Sequence, residues 1–174
     1  MSAIDQKLIR DISDFPKVGI TFKDITPLLA DAQNFSDVIE LFSTKIATAE
    51  FIVGIEARGF VFAAALAKST KRGFIPIRKS GKLPGDTESQ NYQLEYGLAT
   101  MEIHKGLYPT GSSVLIVDDV LATGGTAIAA IELCEKIGLK VQSLAFLLEI
   151  PGLGGRSQIN KKYPNLQIHV LLAE

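Results

Sequence analysis

Several residue types are scarce in this 174-residue chain, and each scarcity excludes a class of protein. The single cysteine, Cys134, cannot form an intrachain disulfide. The two histidines, His104 and His169, leave a zinc site almost without ligands. Cys134 follows Ala127 and Ile131 at helical spacing, which predicts a buried structural thiol and not a nucleophile.

Long apolar runs and an excess of one charge are also missing. No run approaches the roughly 18 to 20 apolar residues of a membrane span. The net charge of −1 offers no basic surface of the kind that binds nucleic acid. Residues 1–14 alternate charged and apolar types, unlike a signal peptide. We expect a single domain over residues 1–174, located in the cytoplasm, without nucleic-acid or membrane partners.

Two common phosphate-binding motifs, GxxxxGK[ST] and GxGxxG after a strand, are absent as well. The chain has instead the stretch VLIVDDVLATGGTAIAA, residues Val114 to Ala130. Its first four residues form the continuous apolar run typical of a strand buried on both faces. Asp118 and Asp119 follow at the predicted carboxyl end of that strand, where open parallel sheets bind their ligands.

A glycine turn then leads into a predicted helix, and its residues are Ala122, Thr123, Gly124, Gly125 and Thr126. Free N–H groups at a helix amino end bind phosphate, and threonine hydroxyls add donors. The paired carboxylates are acceptors, which suit the vicinal hydroxyls of a sugar. Either half alone could be a solvated turn or a plain connection. Together they predict a ligand in which a phosphate lies beside ribose hydroxyls.

Positive charges follow two other predicted strands. Arg58 comes after the apolar run 51–55, and Lys79 and Lys82 lie at the end of the run 73–78. Arg58 could contact phosphate bidentately or form a surface salt bridge. The two lysines could belong to a solvated loop or to a clamp for a polyanion.

Periodicity predicts strands alternating with helices, which indicates an α/β fold with a parallel sheet and right-handed crossovers. We expect an amphipathic helix over the first dozen residues and another helix beginning near Ser36. A mobile polar excursion is predicted at 85–90, with strands 92–97 and 98–103 pairing after it. The remaining predicted segments are a short helix from Thr26, helices 60–67 and 127–138, a strand 141–148, a loop 152–156 and a last strand 166–172.

The stretch from Val114 to Thr126 resembles the phosphoribosyl-pyrophosphate (PRPP) signature of the type I phosphoribosyltransferases. Further segments resemble the adenine phosphoribosyltransferases, and they are FPKVGITFKDITPLL, EARGF, RKSGKLPG, LEYG and LGGR, between Phe15 and Arg156. The resemblance implies a type I phosphoribosyltransferase fold, with a central, mostly parallel sheet flanked by helices. It also implies a small N-terminal hood, about residues 1–35, and a flexible lid loop, about 83–103.

The resemblance implies that the chain transfers the phosphoribosyl group from PRPP to adenine, giving AMP and pyrophosphate in purine salvage. Asp118 and Asp119 would hold the ribose, residues 122–126 the 5′-phosphate, and Lys79 and Lys82 the pyrophosphate. Magnesium would arrive mainly on PRPP and water, without a dedicated protein cage. The resemblance also implies a homodimer, because members of the family usually dimerise.

Further roles follow from the resemblance. Catalytic roles fall to Arg58 in the pyrophosphate loop, to Glu95, which would relay the purine proton, and to Tyr96, which would shape the closed lid. In the hood, Phe22 would stack on adenine. The predicted contacts at the edge of the base are Ile20, Thr21 and Lys23, the last at a position where the family has arginine.

Two other functions fit parts of the same pattern. A phosphoribosyltransferase for 6-oxopurines would share the PRPP stretch, but such enzymes usually lack the Phe-Pro hood and the LEYG lid. A transcription regulator that senses PRPP or purines would share the fold. It would need a basic DNA-binding module, which the composition does not provide.

Overall fold

A computed structural model of the chain describes residues 4–46, 48–94 and 97–173. The chain forms two compact units, Met1–Leu41 and Phe42–Glu174. Glu95 and Tyr96, two predicted catalytic residues, lie outside the described part. Within that part, no helix is both long and apolar enough to cross a membrane. The single domain over residues 1–174 stays a prediction.

The first unit contains a small two-stranded antiparallel sheet. Its elements are a 3-10 turn (Gln6–Leu8), β1 (Arg10–Ile12), β2 (Phe22–Asp24) and α1 (Thr26–Ala30), followed by α2 (Ala32–Ser43), which continues past the end of the unit. The helix predicted over the first dozen residues is wrong for residues 4–12, the part of it that the structure describes. Arg10 and Asp11 instead pair with Asp24 and Lys23 on β2, and both pairs carry opposite charges. This cross-strand pairing overrides the helical periodicity.

Both helices of this region begin beside an aspartate. The side chain of Asp24 accepts hydrogen bonds from the Thr26 N–H at 2.9 Å and from its hydroxyl at 2.6 Å, so α1 starts at Thr26. Asp31 accepts the N–H of Asn34 at 2.9 Å, and α2 starts at Ala32, ahead of the predicted Ser36. A local turn closed by Asp24 therefore precedes α1, and Asp31 caps α2.

The second unit is built on a seven-stranded sheet in the order β5-β6-β4-β3-β7-β8-β9. Strands β3, β4, β7, β8 and β9 are parallel, and β5 and β6 are antiparallel, so the predicted mostly parallel sheet is confirmed. The strand bounds are β3 (Phe51–Ile55), β4 (Gly73–Lys79), β5 (Thr87–Leu94), β6 (Gly97–His104), β7 (Ser113–Leu121), β8 (Lys140–Glu149) and β9 (Gln167–Ala173). The helices are α3 (Arg58–Thr70), α4 (Gly125–Lys136) and α5 (Gly155–Lys162).

Helices α3 and α4 cover opposite faces of this sheet. Val53 and Ile55 of β3 belong to the same buried cluster as the residues of α4. A Cβ on the intervening Gly54 would lie 2.7 Å from the Cβ of Ala63 on α3. Alternation along β3 therefore sends successive residues to the two helices. Cys134 of α4 is fully buried, which raises the pKa of its thiol and confirms the predicted structural cysteine.

Two local predictions are wrong. The polar excursion at 85–90 is largely strand, because β5 begins at Thr87 and pairs with β6 from Thr87 opposite His104. The later part of this hairpin, with Tyr92 opposite Ala99, was predicted. The loop 152–156 runs into helix α5, whose residue Ile159 is fully buried. The glycines of this segment concealed the start of the helix.

Candidate active site

The acidic pair lies inside β7 and not after it, which corrects the predicted end of that strand. Among the described residues, β3 pairs with β7 only as far as Val117, whereas β8 follows β7 to Leu121. Pairing with β8 therefore extends β7 through Asp118 and Asp119. On the side of β3, the pair still lies beyond the last paired residue, as expected for ligand binding at the carboxyl ends of strands.

Helix α3 brings Arg58 to this acidic pair. Arg58 is the first residue of α3, and its Nε lies 2.7 Å from Oδ2 of Asp119. The side chain of Asp119 is only 7% exposed. A Cβ on Gly59 would lie 2.8 Å from Oδ1 of Asp118 and 2.9 Å from the Val117 carbonyl oxygen. Glycine at position 59 thus lets the first turn of α3 approach the carboxylates.

Burial is the largest cause of the raised pKa values of the two carboxylates. It raises the pKa of Asp118 well above its ordinary value, and the neighbouring Asp119 charge raises it further. Burial also raises the pKa of Asp119, while the Arg58 guanidinium opposes that rise. Within the part of the chain that the structure describes, Oδ2 of Asp119 accepts no well-directed hydrogen bond, so its contact with Arg58 is an ion pair. A ligand that donates hydrogen bonds would satisfy these acceptors.

The glycine turn leads directly from β7 into α4. Gly124 has a φ of +85°, a conformation that glycine adopts readily, and α4 begins at Gly125. Among residues 4–46, 48–94 and 97–173, no side chain caps this helix. The first N–H groups of a helix lack acceptors within it, and the helix dipole makes this end positive. Thr123 and Thr126 are half-buried beside it. The arrangement suits an anion.

Glu56, which the sequence did not mark as a site residue, organises the basic segment after β4. Its carboxylate accepts hydrogen bonds from Arg78 Nη2 at 3.1 Å, from the Lys79 N–H at 2.9 Å and from Lys82 Nζ at 3.2 Å. Burial opposes its ionisation, but these bonds lower the pKa of Glu56 to about 2. The Glu56–Ala57 peptide bond is cis. An acid two residues before Arg58 was the available sequence signal.

The ionic contacts of Glu56 lie next to the ion pair of Arg58 and Asp119. Glu56 holds Lys82 and the Lys79 backbone, and Arg58, two residues further, contacts Asp119. They lie at the carboxyl ends of β4, β3 and β7, which are adjacent and parallel. The structure therefore collects at one edge of the sheet the cations and carboxylates that the sequence placed in separate segments.

The β5–β6 hairpin contributes Tyr92, another residue that the sequence did not single out. Burial raises the pKa of the Tyr92 hydroxyl, and the charge of Asp118 adds to the rise. The hairpin is tied to α4, because Gln90 Nε2 donates to Glu132 at 2.5 Å and Lys136 Nζ donates to the Ser89 carbonyl at 3.0 Å. This anchors the first strand of the predicted lid.

The predicted hood residues lie in the first unit. Phe22 on β2 packs edge to face with Phe15, with ring centroids 5.2 Å apart. The carbonyl of Ile20 accepts the Phe15 N–H at 3.1 Å, and Thr21 lies exposed just before β2. Lys23 forms an ion pair with Asp11 at 2.8 Å. Contact of these residues with a base stays a prediction.

The described residues contain no group of three or more His, Cys, Asp or Glu side chains that could hold a metal ion. Asp118 and Asp119 can still offer carboxylate oxygens. Mg²⁺ is commonly bound by one or two carboxylates together with substrate phosphates and water. The residues present therefore fit a magnesium ion that a phosphorylated substrate carries in.

Comparison with known proteins agrees with this geometry. A model of the phosphoribosyl transferase domain matches residues 26–168. The chain belongs to the phosphoribosyl transferase family. An adenine phosphoribosyltransferase of Mycoplasma mobile is 48% identical over 161 residues, covering 92% of this chain and 94% of that protein. One of Cutibacterium acnes is 49% identical over 155 residues, covering 88% of each.

Solved structures show the same fold for this phosphoribosyl transferase chain. The adenine phosphoribosyltransferase of Thermoanaerobacter pseudethanolicus has a TM-score of 0.89 and 47% identity, with 97% of each chain covered. The Saccharomyces cerevisiae enzyme, crystallised with an imino-altritol bisphosphate and adenine, has a TM-score of 0.88 and 37% identity, with 96% of each chain covered. The predicted type I phosphoribosyltransferase fold is confirmed.

Proposed function

We propose that this chain transfers the 5-phosphoribosyl group from PRPP to adenine, producing AMP and pyrophosphate in purine salvage. One observation carries the proposal: Arg58 Nε lies 2.7 Å from Asp119 Oδ2. This contact joins the predicted pyrophosphate loop to the predicted ribose-binding pair. The choice of base is supported by the related adenine phosphoribosyltransferases, about half identical to this chain, and by the adenine in the Saccharomyces cerevisiae structure.

The acidic pair and the glycine turn would hold the transferred group. Asp118 and Asp119 accept hydrogen bonds from the two ribose hydroxyls, whose donors match the carboxylate oxygens, among them the buried Oδ2 of Asp119. The 5′-phosphate binds at the uncapped start of α4, to N–H groups of residues 122–126 and to the threonine hydroxyls. Two fixed points then set the orientation of the anomeric carbon.

The cations after β3 and β4 would stabilise the leaving group. As pyrophosphate departs, the anomeric carbon becomes cationic and negative charge grows on the diphosphate. Arg58, Lys79 and Lys82 supply positive charge there, and Glu56 holds the segment that carries both lysines. Magnesium, when bound, would neutralise part of the diphosphate charge. Its ligands would come mainly from PRPP and water, with Asp118 and Asp119 as the available protein oxygens.

The base-binding roles rest on the sequence resemblance. Glu95 would accept the proton that leaves the purine as the glycosidic bond forms, and Tyr96 would shape the closed lid. Phe22 would stack on adenine, with Ile20, Thr21 and Lys23 at its edge. The homodimer and the cytoplasmic location remain predictions.

Activity with separate purines tests the proposal. The protein is incubated with PRPP, Mg²⁺ and adenine, hypoxanthine or guanine, and nucleotide formation is followed by chromatography. Formation of AMP from adenine alone is expected. If hypoxanthine or guanine is converted to nucleotide and adenine is not, the chain would be assigned to the 6-oxopurine enzymes. PRPP binding without any turnover would favour a sensor.

A further inference from the structure

The backbone at the start of helix α5 lies directly against the backbone of the glycine turn. A Cβ on Gly155 would lie 2.2 Å from the Ala122 carbonyl oxygen and 3.0 Å from the Gly124 nitrogen. A Cβ on Gly124 would in turn lie 2.8 Å from the Gly155 carbonyl oxygen. These three contact atoms are backbone, and although Cδ1 of Leu121, also 3.0 Å from the added Cβ, could move aside, the Ala122 carbonyl oxygen at 2.2 Å could not. Any side chain at position 155 must displace the turn or the helix.

The start of α5 is itself held by the sheet. Arg156 donates from Nε and Nη2 to Oε2 of Glu149, at 3.0 and 2.7 Å. Its Nη1 donates to the Ile168 carbonyl at 3.1 Å. Glu149 is the last residue of β8 and Ile168 belongs to β9, so one guanidinium ties the helix to two strands. The forked geometry of arginine makes this possible.

These contacts form a continuous support beneath the turn that precedes α4. The Ile150 N–H also donates to the Leu121 carbonyl at 2.9 Å, which joins the segment after β8 to the end of β7. N–H groups bind a phosphate well only when they are held to within about 0.5 Å of the productive geometry. The turn has a glycine with positive φ, and none of the described side chains caps the helix after it. Its shape therefore depends on what packs against it.

We propose that Gly155 is a positioning residue for PRPP, and that Arg156 holds it in place through Glu149. Because position 155 has no side chain, the turn 122–124 can lie close to α5, and in this position its N–H groups bind the 5′-phosphate. The inference rests on the proposed function, which assigns the 5′-phosphate to this turn. It gives the LGGR segment, whose role the resemblance left open, a part in binding the cosubstrate.

The neighbouring glycine provides a matched control. Gly154 has a φ of +72°, and a Cβ added there would meet nothing within 4 Å, so it requires glycine for its backbone conformation alone. Gly155 is the first residue of α5 and is constrained by contact. Alanine at 154 strains the backbone of the same segment, whereas alanine at 155 pushes on the turn.

The experiment compares Gly155→Ala with Gly154→Ala in the full chain. Thermal unfolding is measured with KM for PRPP, KM for adenine and kcat, and calorimetry measures the affinities for AMP and for pyrophosphate. Gly155→Ala should raise KM for PRPP and Kd for AMP about tenfold, with pyrophosphate affinity and KM for adenine within about twofold. Gly154→Ala should lower Tm by a few degrees but leave KM for PRPP unchanged.

Equal losses of AMP and pyrophosphate affinity in Gly155→Ala would overturn the inference, as would unchanged affinity for both. If that variant does not fold, Arg156→Lys decides, because lysine keeps the charge but loses the fork. It should weaken AMP binding several-fold and spare pyrophosphate, and unaltered AMP affinity would count against the inference. A wild-type chain that neither turns over PRPP nor binds AMP would instead refute the proposed function.

Discussion

Removing the guanidinium of Arg58 should destabilise the fold by leaving Asp119 without its ion-pair partner. The two groups are 2.7 Å apart, and the side chain of Asp119 is 7% exposed. Arg58→Met keeps much of the side-chain volume and removes the charge. Asp119→Asn removes the negative charge of the same ion pair. Together with the double variant, these substitutions form a double-mutant cycle.

The degree of exposure sets the expected magnitude. Breaking a fully buried ion pair costs roughly 3–5 kcal/mol, because one charge is left without compensation. The side chain of Arg58 is 35% exposed, so water replaces part of the lost interaction. We expect Arg58→Met to lower the free energy of unfolding by about 2 kcal/mol near neutral pH. The double variant should lose at least about 1 kcal/mol less than the sum of the single variants.

The loss caused by Arg58→Met should depend on pH. Burial raises the pKa of Asp119 and Arg58 opposes the rise, so the variant should raise that pKa further. The folded state then keeps a proton that the unfolded state, with an aspartate pKa of about 3.9, has lost. Stability falls with rising pH wherever the folded state binds more protons. The loss of unfolding free energy caused by Arg58→Met should be small near pH 4. It should grow as pH rises to the raised pKa of Asp119 in the folded variant.

Urea unfolding followed by circular dichroism, at one protein concentration and at about pH 5 and pH 8, measures these free energies. Lys68→Met is the matched control, since Lys68 is exposed on the same helix, and it should change stability by no more than about 0.5 kcal/mol. Additive losses in the cycle, or a penalty equal at both pH values, would refute the assigned interaction.

Three further predictions concern other groups. Glu95→Ala should lower kcat in the adenine assay more than it weakens PRPP binding, and unchanged turnover would remove Glu95 from the mechanism. The double change of Asp118 and Asp119 to asparagine should impair PRPP binding in calorimetry while Tm falls little, and intact PRPP affinity would contradict the ribose assignment. The bonds to Glu56 lower its pKa from 4.5 to about 2. Its carboxylate therefore stabilises the fold above about pH 4.5, and this contribution disappears as pH falls towards 2. The difference in unfolding free energy between wild type and Glu56→Gln should shrink over that window, and a constant difference would exclude a role for its charge.

Features encoded by neighbouring residues could be predicted from the sequence. The apolar run before Asp118 indicates a buried strand, and the glycine turn before Thr126 indicates the start of a helix, because both signals depend on local backbone geometry. Strands that alternate with helices imply a mostly parallel sheet. The PRPP signature lies entirely in one such strand–turn–helix unit, so the family could be inferred without the fold.

Pairing between distant residues decided the rest. The helical periodicity of residues 4–12 lost to β1, because Arg10 and Asp11 find partners on β2. The strand with the acidic pair was extended by β8, whose register with β7 no local pattern encodes.

The support of the site also came only from the tertiary structure. Arg58 meets Asp119 because β3 and β7 are adjacent, and Gly155 meets the turn before α4 because Arg156 ties α5 to the sheet. By itself the sequence determined the acidic pair, the glycine turn and the family that they indicate, whereas Glu56 and Tyr92 were recognised only in the structure. Only the folded chain decided which groups touch, since contact depends on strand order and register across many intervening residues.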